Sequence, residues 1–174
     1  MHTKSSALDS MHRATEGFLA LLDGVSDTQW HLHPAGEEWS IAQTVEHVVL
    51  SNRGILKGLE HLLAAPIADD ATRFDDAGIS SAMFRSDGPA PAFAVPTGRF
   101  ATRAEGVAAL SAAFEDIAAW AKESPETLRA HGLPHPLFGL FDGVQWILFG
   151  AAHTDNHARQ LRAIRAHRDF AREP

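Results

Sequence analysis

The stretch DGVQWILFGAAHTDNHARQLRAI, residues 142–164, decides how the chain is read. Asp142 is a residue type that caps a helix by accepting a hydrogen bond from a free backbone N–H of the first turn. Behind it Val144, Trp146, Ile147, Phe149, His153, His157, Leu161 and Ile164 recur at three- and four-residue spacing, the period of an amphipathic helix. At about 100° per residue, His153 and His157 stand about 40° apart on one face. Trp146, Phe149, Gly150, Gln160, Leu161 and Ile164 share that stripe, so the pair faces the interior of the packed protein.

Two imidazoles turned into an apolar interior leave two readings open. They are hydrogen-bonded core residues, because an unpaired buried polar group is costly, or they share a cation, because one turn of helix brings their ring nitrogens together. A metal requires a third ligand, and the candidate is His47 in WSIAQTVEHVVLSN. His47 lies away from the stripe of Ile41, Val45, Leu56 and Leu59, on a side shared with Leu50, Gly54, Gly58 and His61. Small residues there fit a close helix or ligand, and they fit an exposed face equally well.

Working outward, the same period marks three more long helices. Leu8, Met11, Thr15, Phe18, Leu19 and Leu22 define one over roughly residues 6–23, which Gly24 stops. Ser40 and Gln43 form a capping box that starts a second, running to about Leu63 before Pro66 closes it. Its apolar stripe is Ile41, Val45, Val48, Val49, Ile55, Leu56, Leu59, Leu62 and Leu63. Thr102 and Glu105 form another box, followed by Val107, Leu110, Phe114, Ile117 and Trp120. SPETLRAHG, residues 124–132, suggests one short helical turn. The connection holding Trp30 and Trp39 is expected to pack on the domain, since large aromatic rings are costly to leave in water.

Residues 66–101 mix Pro, Gly, Asp and Ser with isolated aromatics and show no sustained period. They read as one long crossover loop. Connections of that length inside a compact domain are often functional, so Met83, Phe84, Phe93 and Phe100 either anchor it across the mouth of a site or staple a surface excursion. Four long helices, one crossover and no strand signal predict an all-α four-helix bundle.

Composition narrows the function classes. The 174 residues, 45% hydrophobic and 21% charged, make one domain of ordinary size covering the whole chain. A net charge of −7 argues against nucleic acid as the main partner. The one basic concentration, Arg159, Arg162, Arg165 and Arg168, reads as a solvated helix face. With no cysteine, there is no disulfide framework and any metal is held by nitrogen and oxygen. No export signal or membrane span is apparent, and a cytoplasmic location is expected. Of the eleven histidines, His2, His12 and His167 read as exposed, while His31, His33, His131 and His135 sit beside prolines in loops and fit turn roles as well as chemistry.

Two blocks resemble the DinB-like superfamily of bacterial metal-binding four-helix bundles. WHLHPAGEEWSIAQTVEHVVLSN, Trp30 through Asn52, is similar to that family's tryptophan, proline, W-S-I and histidine signature. PHPLFGLFDGVQWILFGAAHTDNHARQLRAIR, residues 134–165, is similar to its proline-rich turn, Q-W helix start and H-x-x-x-H-x-x-Q-L closing motif. The middle third matches only in layout.

The resemblance implies that His47, His153 and His157 hold a divalent ion, typically zinc or nickel. Three protein ligands leave a position open for water or substrate, the arrangement of a catalytic site. It implies a metal-dependent enzyme acting on a small molecule, as a hydrolase or as a thiol S-transferase using a low-molecular-weight thiol as cosubstrate. A non-catalytic bundle that binds metal or a small ligand, as a stress or detoxification accessory, is the alternative. Gln160 and Glu46 are candidate outer partners of the ligands, Glu46 reading also as a solvent-facing residue; no general base is identified. The broad stripe of the second helix and the alanines of the third and fourth allow a homodimer, which the family often forms, or a monomer.

Overall fold

Five helix starts are built from the same local device. In each, a side chain at the N-cap accepts from the backbone three residues on, and that residue's side chain accepts from or bonds back to the cap. The pairs are Thr3 with Ser6, Ser26 with Gln29, Ser40 with Gln43, Thr102 with Glu105 and Asp142 with Gln145. The computed structural model describes residues 1–34, 39–67, 74–83, 89–135 and 138–172, with the side chains of 80–83 and 171–172 not included. The helices are α1 (Lys4–Ala20), α2 (Asp27–His31), α3 (Ile41–Leu62), α4 (Asp76–Met83), α5 (Arg103–Glu123), α6 (Gly143–Ala166) and α7 (Arg168–Arg172).

The four long helices α1, α3, α5 and α6 pack in a cycle. α1 lies against α6, α6 against α3, α3 against α5, and α5 against α1. Two apolar clusters fill the interior. Met11, Ile55, Leu59, Leu62, Ile117, Phe141 and Ile147 belong to one. Phe18, Leu22, Trp30, Val45, Val49, Leu110, Leu161 and Ile164 belong to the other. Each fully buried side chain of this kind stabilises the fold by about 1.5–3 kcal/mol. Trp30 reaches the interior because α5 carries Gly106, where a Cβ would stand 2.6 Å from the indole. The indole N–H donates to the Phe100 carbonyl at 3.1 Å. Leu63, assigned to the apolar stripe of α3, falls past its end and is 41% exposed.

The chain is predominantly helical, as an all-α bundle requires, and two local features differ from the expectation. The chain does contain strands: β1 (Gly132–His135) and β2 (Gly139–Asp142) form an antiparallel hairpin in which Gly132 faces Asp142 and His135 faces Gly139. GLPH and GLFD are four residues each, with Pro and Gly in place of apolar alternation, so no period-two signal exists. The hairpin delivers the chain to the Asp142 cap, with Gly139 at φ 86°.

The crossover is also not structureless. It contains α4, which packs on α6, and a 3₁₀ turn at Ala92–Ala94 that lies against α3. Eight residues are too few to display a helical period. Among the proposed anchors, Phe84 and the Met83 side chain lie outside the described residues, Phe100 is half-buried and Phe93 is 63% exposed. Among the described residues no helix is long and apolar enough to cross a membrane.

Candidate metal centre

His153 and His157 project from successive turns of α6 into the bundle, and His47 reaches them from α3. His47 and His153 are buried, at 4% and 7% exposure, and His157 is partly buried. The Nε2 atom of His153 lies 3.1 Å from Nε2 of His47 and 3.2 Å from Nε2 of His157. The face of α3 that carries His47, left open between interior and solvent by periodicity, is buried at His47, half-buried at Leu50, Gly54 and Gly58, and exposed at His61. The crossover and the hairpin cover it: a Cβ on Gly54 would stand 2.7 Å from the Phe93 ring, and one on Gly58 would touch Leu133.

Hydrogen bonds on the far side of two rings decide which nitrogens face inward as acceptors. The Ala94 carbonyl, 2.8 Å from His47 Nδ1, can only accept, so that nitrogen carries the proton and Nε2 presents a lone pair. His157 Nδ1 stands in the same relation to Gln160 Oε1 at 2.9 Å. Two lone pairs therefore point at His153, whose single ring proton can satisfy one of them at most. The Nδ1 atom of His153 is buried with no hydrogen-bond partner among the described residues.

Protonating the cluster is not an economical solution. Burial, reinforced by the charges of His157, His47 and His135, holds His153 well below the ordinary histidine range. Burial likewise holds His157 down to about 4, with His47 adding to the effect and the Gln160 bond opposing it. One cation among the Nε2 atoms would satisfy all three lone pairs. Nitrogens about 2.0–2.1 Å from a tetrahedral zinc ion lie about 3.3 Å apart, close to the spacings His153 makes with its two neighbours. The donor set fits a first-row divalent ion, and these three residues could hold one.

Aromatic rings wall the cluster. Trp39 has its centroid 4.7 Å from His47 and 6.3 Å from His157, and Phe149 stacks 5.9 Å from His153. A cleft of about 230 Å³, lined by His31, His33, Ser40, Gln43, Glu46 and Phe100, lies beside the first turns of α3 and includes none of the three ligating candidates.

Glu46 corrects the solvent-facing reading, since it is 1% exposed. It accepts from Thr97 N–H at 2.9 Å, the Thr97 hydroxyl at 3.0 Å, Gly98 N–H at 2.8 Å and Arg99 N–H at 3.0 Å. Burial alone would raise its pKa, and these bonds outweigh it and hold the carboxyl below its ordinary value.

The other histidines take different roles. His31 Nε2 donates to the Ala101 carbonyl, and His131 Nδ1 to that of Ala65. His135 lies among Phe138, Phe141, Trp146 and Phe149, with Phe149 at 4.6 Å, and burial pulls it down to about 4. Of the arginine-rich face, Arg165 is not merely solvated, because it donates to the Leu21 and Asp23 carbonyls beyond the end of α1.

The sequence profile of the DinB superfamily matches residues 10–161, which include all three clustered histidines. The chain is similar to YuaE of Bacillus subtilis strain 168, an uncharacterized protein, with 27% identity over 146 residues, 83% of this chain and 88% of that one. No solved structure matches.

Proposed function

This chain belongs to the DinB superfamily, and on that footing we propose that it is a divalent-metal-dependent enzyme acting on a small molecule, with His47, His153 and His157 as the metal ligands. Zinc and nickel are the ions proposed. The observation that carries the reading is the convergence of three Nε2 atoms, two of them in rings whose Nδ1 positions are engaged elsewhere. Bound there, a divalent ion supplies Lewis acidity, of the kind that makes water or a low-molecular-weight thiol nucleophilic near neutral pH.

The residues' own contributions are orientation and dryness. The Ala94 carbonyl and Gln160 hold two imidazoles in the tautomer that leaves Nε2 free. Trp39 and Phe149 pack against the rings, and burial keeps His153 and His157 neutral and able to ligate. We assign the activity to thiol S-transfer or hydrolysis in a cytoplasmic protein, working as a monomer or a helix-mediated homodimer. The charge of −7 supports a small-molecule partner over nucleic acid.

A second reading is a non-catalytic bundle that retains a metal or small ligand, and the deep burial of His47 and His153 favours it. The experiment compares metal-free and zinc- or nickel-loaded protein in two assays, transfer of a low-molecular-weight thiol to an electrophile and hydrolysis of small esters and amides. Turnover only in the loaded protein supports the enzyme. Tight metal retention with no turnover in either assay supports the second reading.

A further inference from the structure

Glu46 is a buried carboxylate with no part in the proposed chemistry, and it adjoins a proposed ligand. These two neighbours on α3 grip the same stretch of crossover. His47 bonds the Ala94 carbonyl, and Glu46 bonds the backbone of Thr97, Gly98 and Arg99. Only Val95 and Pro96 separate the two grips, and the fixed φ of proline removes one rotation from that short link.

The stretch has little apolar burial of its own. Phe93 and Val95 are 63% and 46% exposed, and Ala94 is the one buried apolar residue among them. Its attachment to α3 consists of the Phe93 ring against Gly54, the His47 bond to Ala94, and, at Glu46, four hydrogen bonds and the Arg99 guanidinium 3.6 Å away.

We propose that Glu46 is a positioning residue for His47: by holding residues 97–99 it keeps the Ala94 carbonyl on the Nδ1–H of His47 and so aims Nε2 at the other two rings. The consequence for metal affinity rests on the ligand set proposed above; the ring orientation does not. Glu46→Gln is the discriminating change. It keeps size and shape, and it replaces one accepting oxygen with an NH₂ that meets backbone N–H donors head on.

The test uses the full chain without an affinity tag. In metal-free protein, ¹⁵N NMR of the histidine rings reads the His47 tautomer and the solvent exchange of its Nδ1 proton. Competition against a chromophoric chelator reads zinc affinity, and thermal unfolding is recorded in parallel. Wild type should show a protected Nδ1–H on His47. Glu46→Gln should exchange that proton faster and bind zinc about tenfold more weakly, in the range typical of outer-sphere partners.

A folded Glu46→Gln protein with wild-type proton protection and zinc affinity overturns the proposal, whatever its melting temperature, since a purely structural latch would leave both unmoved. If wild type binds no zinc, the ligand assignment fails, and the proton exchange in metal-free protein still decides the role of Glu46. If Glu46→Gln does not fold, Thr97→Ala takes its place, removing from an exposed residue the hydroxyl's bond to Glu46 and the 3.4 Å bond it accepts from Arg99 Nε. It should speed the exchange about threefold, a fraction of what one hydrogen bond to a charged group contributes, and unchanged exchange overturns the proposal.

Discussion

His157 and Gln160, one helical turn apart on α6, are joined by a 2.9 Å bond from ring Nδ1 to amide Oε1. That bond fixes which nitrogen of His157 faces His153. Replacing the amide by an apolar group that also favours helix, Gln160→Leu, should lower zinc affinity about tenfold with little change in helicity. Chelator competition and circular dichroism measure the two effects. Unchanged affinity would mean that His157 needs no such partner.

At the opposite end of α6 the interactions are structural. Arg129 pairs with Asp76 at 2.8 Å and with the fully buried Asp142 at 2.7 Å, and it also donates to the His2 carbonyl. Removing the cation leaves two sequestered carboxylates facing each other's charge. Arg129→Ala should cost about 3 kcal/mol, measured by urea unfolding of metal-free protein, with metal stoichiometry in the folded protein unchanged.

The approach of Trp30 to α5 gives a third prediction. A Cβ at position 106 would lie 2.6 and 2.8 Å from two indole atoms and 3.2 Å from a Val45 methyl, so no small adjustment accommodates it. Gly106→Ala should destabilise the fold by about 1–3 kcal/mol, as overpacked cores do, despite the better helix propensity of alanine. A stabilised variant in thermal unfolding would show that the indole can move aside.

Stability should also depend on pH through His135. Burial depresses its folded-state pKa to about 4 from an ordinary value of 6.5. The unfolded chain then binds a proton that the folded chain refuses, so stability falls as pH drops from about 6.5 towards 4 and levels off below. Urea midpoints of metal-free protein at pH 7 and pH 5 measure the slope. His135→Leu should flatten part of it, the remainder coming from the clustered histidines; an unaltered slope would place the titration elsewhere.

The sequence displays the long helices because each carries its own local evidence, a capping box followed by apolar residues at helical spacing. The Ser26–Gln29 box is equally legible in the sequence and marks the short α2. What local pattern does not carry is the burial of His47 and Glu46. Their cover comes from residues 94–99 and, over His47, from Trp39, which have no period and reach α3 only through tertiary contacts. The direction of His47 became legible through its resemblance to a family motif, whereas that of His153 and His157 follows from helical geometry alone. The hairpin stayed hidden because Pro134 and Gly139 occupy positions where apolar alternation would announce strands.

The most direct measurement is the metal content of the full chain purified without an affinity tag, beside that of His153→Ala, whose ring stands between the other two. The account predicts a stoichiometric divalent ion in wild type and its loss in a variant that remains folded. Full metal content in His153→Ala, or a metal-free wild type that gains no stability from added zinc or nickel, would contradict it.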